Sequence, residues 1–158
     1  MNKVLLIDPD KCTSCRLCEL ACSGRTSGTY RPARALIRLT IDTDEAFYFP
    51  RVCIQCDDAP CMETCPEEAL VRDSWTNAVV VLADKCTNCG LCVESCPYGV
   101  IYCEDDVARK CDLCGGDPEC VRFCGPGALQ FVPADEWPDV QRLAYADRLQ
   151  ALAAEVKS

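Results

Sequence analysis

The sequence predicts a small α+β fold in which short strands and short helices are built around four groups of cysteines and the chain closes on a C-terminal helix. Three observations lead to it. Sixteen of the 17 cysteines in the 158 residues fall into four groups of four. The segments between the groups are apolar stretches of strand length rather than long periodic runs. Beyond Asp135 the period changes, with Tyr145, Leu149, Leu152 and Val156 spaced i, i+4, i+7 and i+11 along one helical face. A chain of this length is most simply one compact domain.

Composition narrows the chemistry. The cysteine load would suit a secreted disulfide scaffold, but that needs an export signal, and Val4-Leu5-Leu6-Ile7 is too short an apolar run for one. No stretch approaches the roughly 20 apolar residues of a membrane helix. The chain is therefore expected in the cytoplasm, without membrane insertion, where clustered thiols stay reduced and bind metal. A formal charge of -9 argues against nucleic acid as a ligand. With no histidine, there is no imidazole base, haem ligand or Cys-His nucleophile pair.

The groups are Cys12, Cys15, Cys18 and Cys22; Cys53, Cys56, Cys61 and Cys65; Cys86, Cys89, Cys92 and Cys96; and Cys111, Cys114, Cys120 and Cys124. The third, closed by Pro97, has the C-x2-C-x2-C-x3-C-P spacing of bacterial ferredoxins, in which three thiolates hold one [4Fe-4S] cluster and the fourth reaches another. Zinc knuckles use isolated C-x2-C pairs and need neither the third cysteine nor the proline. Four groups of four match four [4Fe-4S] clusters. Cys103 is left over and is expected to be a buried small apolar residue. A cluster held by four thiolates has no open iron, so it moves single electrons and binds no substrate. The chain is accordingly expected to be non-catalytic.

In chain order, Val4–Ile7 is expected as a strand before the first group. Short helices are expected at Leu17–Ala21 and Leu91–Ser95, and further strands at Ala35–Ile41, Val79–Leu82, Gly99–Tyr102 and Ala128–Val132. Asp10-Lys11-Cys12-Thr13-Ser14-Cys15-Arg16-Leu17-Cys18 is echoed by Asp84-Lys85-Cys86-Thr87-Asn88-Cys89-Gly90-Leu91-Cys92, and the second group by the fourth, so the chain reads as a duplicated half. The core is small, and metal binding should supply much of the folding free energy, leaving the metal-free chain largely unfolded. Ser23–Arg34 reads as a basic loop, either simply solvated or a docking edge for a partner. Lys11, Lys85 and Lys110 each precede the first cysteine of a group, and Arg51 lies two residues before Cys53. They are either solvated or close enough to raise cluster potentials.

The run from Lys11 to Leu129 resembles the four-cluster ferredoxin-like electron-transfer subunits of molybdenum- or tungsten-pterin oxidoreductases. The compact fourth group, Lys110-Cys111-Asp112-Leu113-Cys114-Gly115-Gly116-Asp117-Pro118-Glu119-Cys120, and the first group followed by Pro32-Ala33-Arg34 are most similar to the small subunit of tungsten-dependent aldehyde oxidoreductases. Benzoyl-coenzyme A reductase small subunits look alike. Spacing alone leaves the pairing of groups open, sequential or nested. The resemblance implies the nested form: Cys12, Cys15, Cys18 and Cys124 on one cluster; Cys22, Cys111, Cys114 and Cys120 on a second; Cys53, Cys56, Cys61 and Cys96 on a third; Cys65, Cys86, Cys89 and Cys92 on a fourth.

It further implies two ferredoxin-like modules related by a pseudo-twofold. The outer module spans 1–50 with 98–134 and the inner 51–97, together forming a four-cluster domain, 1–134, followed by a helical tail, 135–158. The implied function is electron relay in a hetero-oligomer, between a large tungsten- or molybdenum-pterin subunit oxidising aldehydes to carboxylic acids and a flavin subunit or soluble acceptor such as ferredoxin. Alternatives are a subunit of a hydrogenase, carbon monoxide dehydrogenase or benzoyl-coenzyme A reductase complex, a free polyferredoxin, and a structural or sensing iron-sulfur protein.

Overall fold

The computed structural model describes residues 2–42 and 47–157, with backbone alone at 156 and 157. Along the chain lie β1 (Lys3–Ile7), α1 (Leu17–Ser27), β2 (Arg38–Asp42), β3 (Phe47–Arg51), α2 (Pro60–Glu63), β4 (Leu70–Arg72), β5 (Val79–Val81), α3 (Leu91–Ser95), β6 (Tyr102–Glu104), β7 (Val107–Arg109), α4 (Glu119–Arg122), β8 (Leu129–Pro133) and α5 (Asp139–Lys157). The strands form four separate two-stranded antiparallel ribbons. Two-stranded ribbons are marginal alone, so each depends on what covers it.

Their pairing is nested. β1 runs against β8, with Lys3 opposite Pro133 and Ile7 opposite Leu129. Inside that closure β4 pairs with β5, Leu70 opposite Val81. The helices follow suit, α1 packing on α4 and α2 on α3. The first and fourth cysteine groups are thereby brought together at one end, and the second and third at the other. β2 with β3 and β6 with β7 are hairpins carrying the chain between the two ends.

Side-chain caps fix the turns. Asp73 Oδ1 accepts from the backbone N–H groups of Trp75 and Thr76 and from the Thr76 hydroxyl, folding the chain from β4 back into β5. Arg72 donates to the carbonyls of Cys56, Asp57 and Asn77, tying that ribbon to the second cysteine group.

Several sequence expectations shift. The first helix does not stop at Ala21 but runs to Ser27, where Gly28 takes a left-handed conformation (φ 68°) and returns its N–H to Gly24. Pro66, Pro97 and Pro126 break the chain just past the last cysteines of the other groups; Ser23 cannot, so five of the twelve residues of the expected basic loop are helix. Strand β2 begins only at Arg38, because Pro32–Arg34 forms a 3-10 turn. Strand β6 begins at Tyr102 rather than Gly99, a residue that turns with positive φ. The strands Val4–Ile7, Val79–Leu82 and Ala128–Val132 and the helix Leu91–Ser95 lie within a residue or so of their expected places.

The tail packs on its own domain. Tyr145, Leu149 and Leu152 are buried, while the side chain of Val156 lies outside the described residues. Tyr145 stacks on Phe49 at 5.0 Å between ring centroids and donates its hydroxyl proton to the Pro50 carbonyl (2.8 Å) while accepting from the Val52 N–H (3.3 Å). Gly99 permits this docking: a Cβ there would lie 3.2 Å from Ala153 Cβ, and the backbone is left-handed (φ 58°). The helix thus braces β3 and the entry to the second cysteine group. Leu149→Ala should destabilise the holoprotein by about 2–5 kcal/mol and Tyr145→Phe by about 1–3 kcal/mol, through the Val52 N–H left without an acceptor. Denaturant unfolding measures both; losses below half a kcal/mol would mean the helix is not part of the cooperative unit.

Candidate metal centres

All four groups use one local backbone plan. The residue before the second cysteine is left-handed in each: Ser14 (φ 58°), Gln55 (φ 56°), Asn88 (φ 55°) and Leu113 (φ 57°). The chain therefore curls between the first two thiols instead of extending past them. In each group the third cysteine (Cys18, Cys61, Cys92 and Cys120) then occupies the second residue of a helix: α1, α2, α3 and α4 respectively. That places its sulfur beside backbone N–H groups that lack intrahelical partners. Among the described residues eleven non-glycine residues have positive φ, and seven of them lie within the spans of the cysteine groups, where the conformational cost buys convergence of thiols.

The thiols gather in sets drawn from two groups each. One small cavity is lined by Cys12, Cys15, Cys18 and Cys124. A second is lined by Cys53, Cys56, Cys61 and Cys96, with Lys110 in its wall. A third is lined by Cys65, Cys86, Cys89 and Cys92, with Cys103 beside them. The remaining four, Cys22, Cys111, Cys114 and Cys120, line none of these three cavities; Cys22, Cys114 and Cys18 act electrostatically on Cys120, and Cys53 and Cys120 on Cys111. Backbone N–H groups point at several sulfurs, Leu36 at Cys22 (3.2 Å), Ala69 at Cys65 (3.3 Å) and Ala108 at Cys86 (3.4 Å). Among the described residues no three Cys, Asp or Glu side chains converge on a single-ion point. The thiols surround a volume, and four cysteines about an apolar hollow are the donor set of a [4Fe-4S] cluster.

The profile of the 4Fe-4S dicluster domain matches residues 44–134, and that of the 4Fe-4S binding domain matches residues 5–23. The chain belongs to the 4Fe-4S dicluster domain family. A polyferredoxin-like subunit of an aliphatic sulfonate oxidoreductase from Pyrococcus furiosus is 42% identical over 139 residues, spanning 85% of this chain and 80% of the relative. The electron transport protein HydN of Escherichia coli is 31% identical over 154 residues, spanning 82% and 87%. Among solved structures, a chain of the BamBC active-site complex of benzoyl coenzyme A reductase has 25% identity and a TM-score of 0.48, over 99% of this chain and 98% of that one. This dicluster-family member is an iron-sulfur electron-transfer protein with multiple [4Fe-4S] clusters. No described helix is long and apolar enough to cross a membrane.

Cys103 corrects one expectation. It is exposed, not buried. On the short β6–β7 ribbon it lies opposite the buried Ala108 and beside the cavity of Cys65, Cys86, Cys89 and Cys92, where less of the chain covers it. The three lysines that precede a first cysteine also differ. Lys11 is half exposed and paired with Asp8 (2.9 Å), and Lys85 is exposed, whereas Lys110 is buried. An open groove of about 530 Å³ is not a thiol site; of the cysteines, Cys114 alone is in its lining.

Burial is the first cause of the raised thiol pKa values, with neighbouring anions adding to it. Cys18 and Cys56 are pushed up to about 12 and Cys92 to about 11, and Cys111 and Cys120 are raised as well. In the metal-free fold this contribution to stability is complete below the unfolded thiol pKa of about 8.5 and is lost as pH rises through 11 to 12. At neutral pH the same thiols are protonated, so each ligand formed must release a proton. At fixed iron and sulfide, cluster loading should fall as pH drops from about 8 to about 6, by about tenfold per released proton per pH unit. Reconstitution followed by visible absorbance tests this; loading independent of pH would mean the thiols are already ionised.

Proposed function

We propose that this chain is the electron-relay subunit of a hetero-oligomeric oxidoreductase complex in the cytoplasm and carries four [4Fe-4S] clusters. The proposed ligand sets are Cys12, Cys15, Cys18 and Cys124; Cys22, Cys111, Cys114 and Cys120; Cys53, Cys56, Cys61 and Cys96; and Cys65, Cys86, Cys89 and Cys92. The observation that carries the reading is the gathering of twelve of these thiols around three small cavities, each lined by three cysteines from one group and one from another; the remaining four are assigned to the fourth set. The nested ribbons and the α1–α4 and α2–α3 contacts support it, and the chain is read as two ferredoxin-like modules related by a pseudo-twofold. Residues 1–134 are read as the relay and 135–158 as its bracing tail.

When bound, such clusters supply reversible one-electron transfer without open iron. The protein's part is to hold them near one another, exclude water and set their electrostatic surroundings. A cluster held by four thiolates leaves no open iron for a substrate, so the substrate chemistry is assigned to a partner. Membership of a larger complex is supported by the 42% identical relative, itself a polyferredoxin-like subunit of an oxidoreductase. As partner we propose a tungsten- or molybdenum-pterin subunit that oxidises aldehydes to carboxylic acids, with electrons leaving to a flavin subunit or a soluble acceptor. The fourth group's compact Cys114–Cys120 spacing supports that choice.

Purified holoprotein should hold about sixteen iron and sixteen sulfide per chain; a value near eight would remove two clusters from the assignment. Cys96→Ala should abolish the signal of the Cys53 set and spare that of the Cys86 set, read by electron paramagnetic resonance of the reduced protein. Loss of the Cys86 set alone would overturn the nested sets. The native complex should contain tungsten or molybdenum. Elution of the chain alone would make it a free carrier, and aldehyde oxidation by the isolated chain would end the division of labour.

A further inference from the structure

Lys110 is only 4% exposed, and its ammonium sits where the two ends of the molecule meet. It donates to Gln55 Oε1 (3.2 Å), to the Cys111 carbonyl (2.9 Å) and to the Val79 carbonyl. The three acceptors come from the second cysteine group, from β5 leading into the third, and from the fourth. Gln55 completes the network, donating its amide to the Cys111 carbonyl (2.8 Å) and accepting from the Val79 N–H (2.9 Å). All three ammonium protons are used, yet every acceptor is uncharged.

A buried charge is expensive unless a counter-charge compensates it. The nearest sulfur sites can supply one. Lys110 lines the cavity of Cys53, Cys56, Cys61 and Cys96 and is bonded directly to the first residue of the Cys111 set. Its charge opposes the effect of burial on both Cys61 and Cys111. Lys11 and Lys85, which hold the equivalent sequence positions, are solvent-facing and screened.

We infer that Lys110 is a fixed counter-ion shared by the Cys53 and Cys111 cluster sites, positioned by Gln55, and that it holds the reduction potentials of these two clusters above the values they would otherwise have. The inference rests on the proposed four-cluster relay. Each one-electron reduction adds one negative charge to a site, with no bond made or broken. A cation held in a low-dielectric interior stabilises that added charge, at the point where an electron passes between the inner and outer pairs of clusters. Lys110 is a positioning residue for charge; it touches no substrate.

The test is a dithionite titration of holoprotein, followed by electron paramagnetic resonance, with iron and sulfide measured on the same samples. In Lys110→Met the electron affinity of two of the four clusters should fall about tenfold, a shift of about 59 mV for one electron. In Lys110→Arg it should stay near the starting value. Gln55→Glu keeps the acceptor for Val79 and places a carboxylate against the ammonium, so it should lower the same two potentials even where Lys110→Met fails to load. Unchanged potentials in loaded Lys110→Met, or in Gln55→Glu where Lys110→Met does not load, would overturn the inference, as would an equal shift of all four. An unmodified protein holding only about eight iron would instead remove the four-cluster reading beneath it.

Discussion

The nested strand pairing is the constraint on which the rest of the molecule depends. A cysteine at the end of one group can line the hollow formed by another group's first three only if the two groups lie side by side. β1 against β8 brings this about across nearly the whole chain, and β4 against β5 across six intervening residues. Neither ribbon is long enough to persist alone. Each is held by the sulfur-lined hollows it encloses, so strand pairing and cluster binding are two sides of one cooperative event. This is the thermodynamic logic of small metal domains, where ligand binding is folding free energy.

Within that frame the four groups solve one local problem in one way. A left-handed residue before the second cysteine and a helix beginning just before the third turn a linear spacing into a concave arc of sulfur. Glycine would adopt that conformation most readily, yet the residues there are Ser14, Gln55, Asn88 and Leu113. At Gln55 the side chain explains the choice, since its amide joins three segments. At Leu113 the side chain is buried in the core, so the strained turn contributes packing where glycine would contribute none.

Cysteine spacing made the metal chemistry legible before any coordinates, because thiolate geometry leaves few readings of C-x2-C-x2-C-x3-C-P. Strands rich in Val, Leu and Ile were legible for the same reason that they form: apolar runs of four have no helical period to obey. What spacing could not carry was anything decided by the far side of the chain. β3, β4 and β7 were missed; the apolar residues of β3 and β4 are interrupted by Pro50 and Arg72, and the three are strands because β2, β5 and β6 pair with them. The burial of Ala108 and the exposure of Cys103, its partner across the ribbon, follow from how far the rest of the chain covers that ribbon, and the interval between cysteines contains no trace of it.

The lysines show how far a repeat in sequence can diverge in physics. Lys11 and Lys85 stand at one position of the repeated motif, Lys110 likewise directly precedes the first cysteine of its group, and in all three groups the residue before the second cysteine is left-handed. Their surroundings differ because different elements cover them. The first two open toward solvent, where water and salt dilute a charge. Above Lys110 lie Val79 at the start of β5 and the Gln55 loop, both held down by the ribbon that closes the inner pair of groups. Duplication can therefore copy the ligands of a cluster while leaving its electrostatic environment to be written by whatever packs on top. In a relay built from chemically identical clusters, that covering layer is where differences between successive steps must arise.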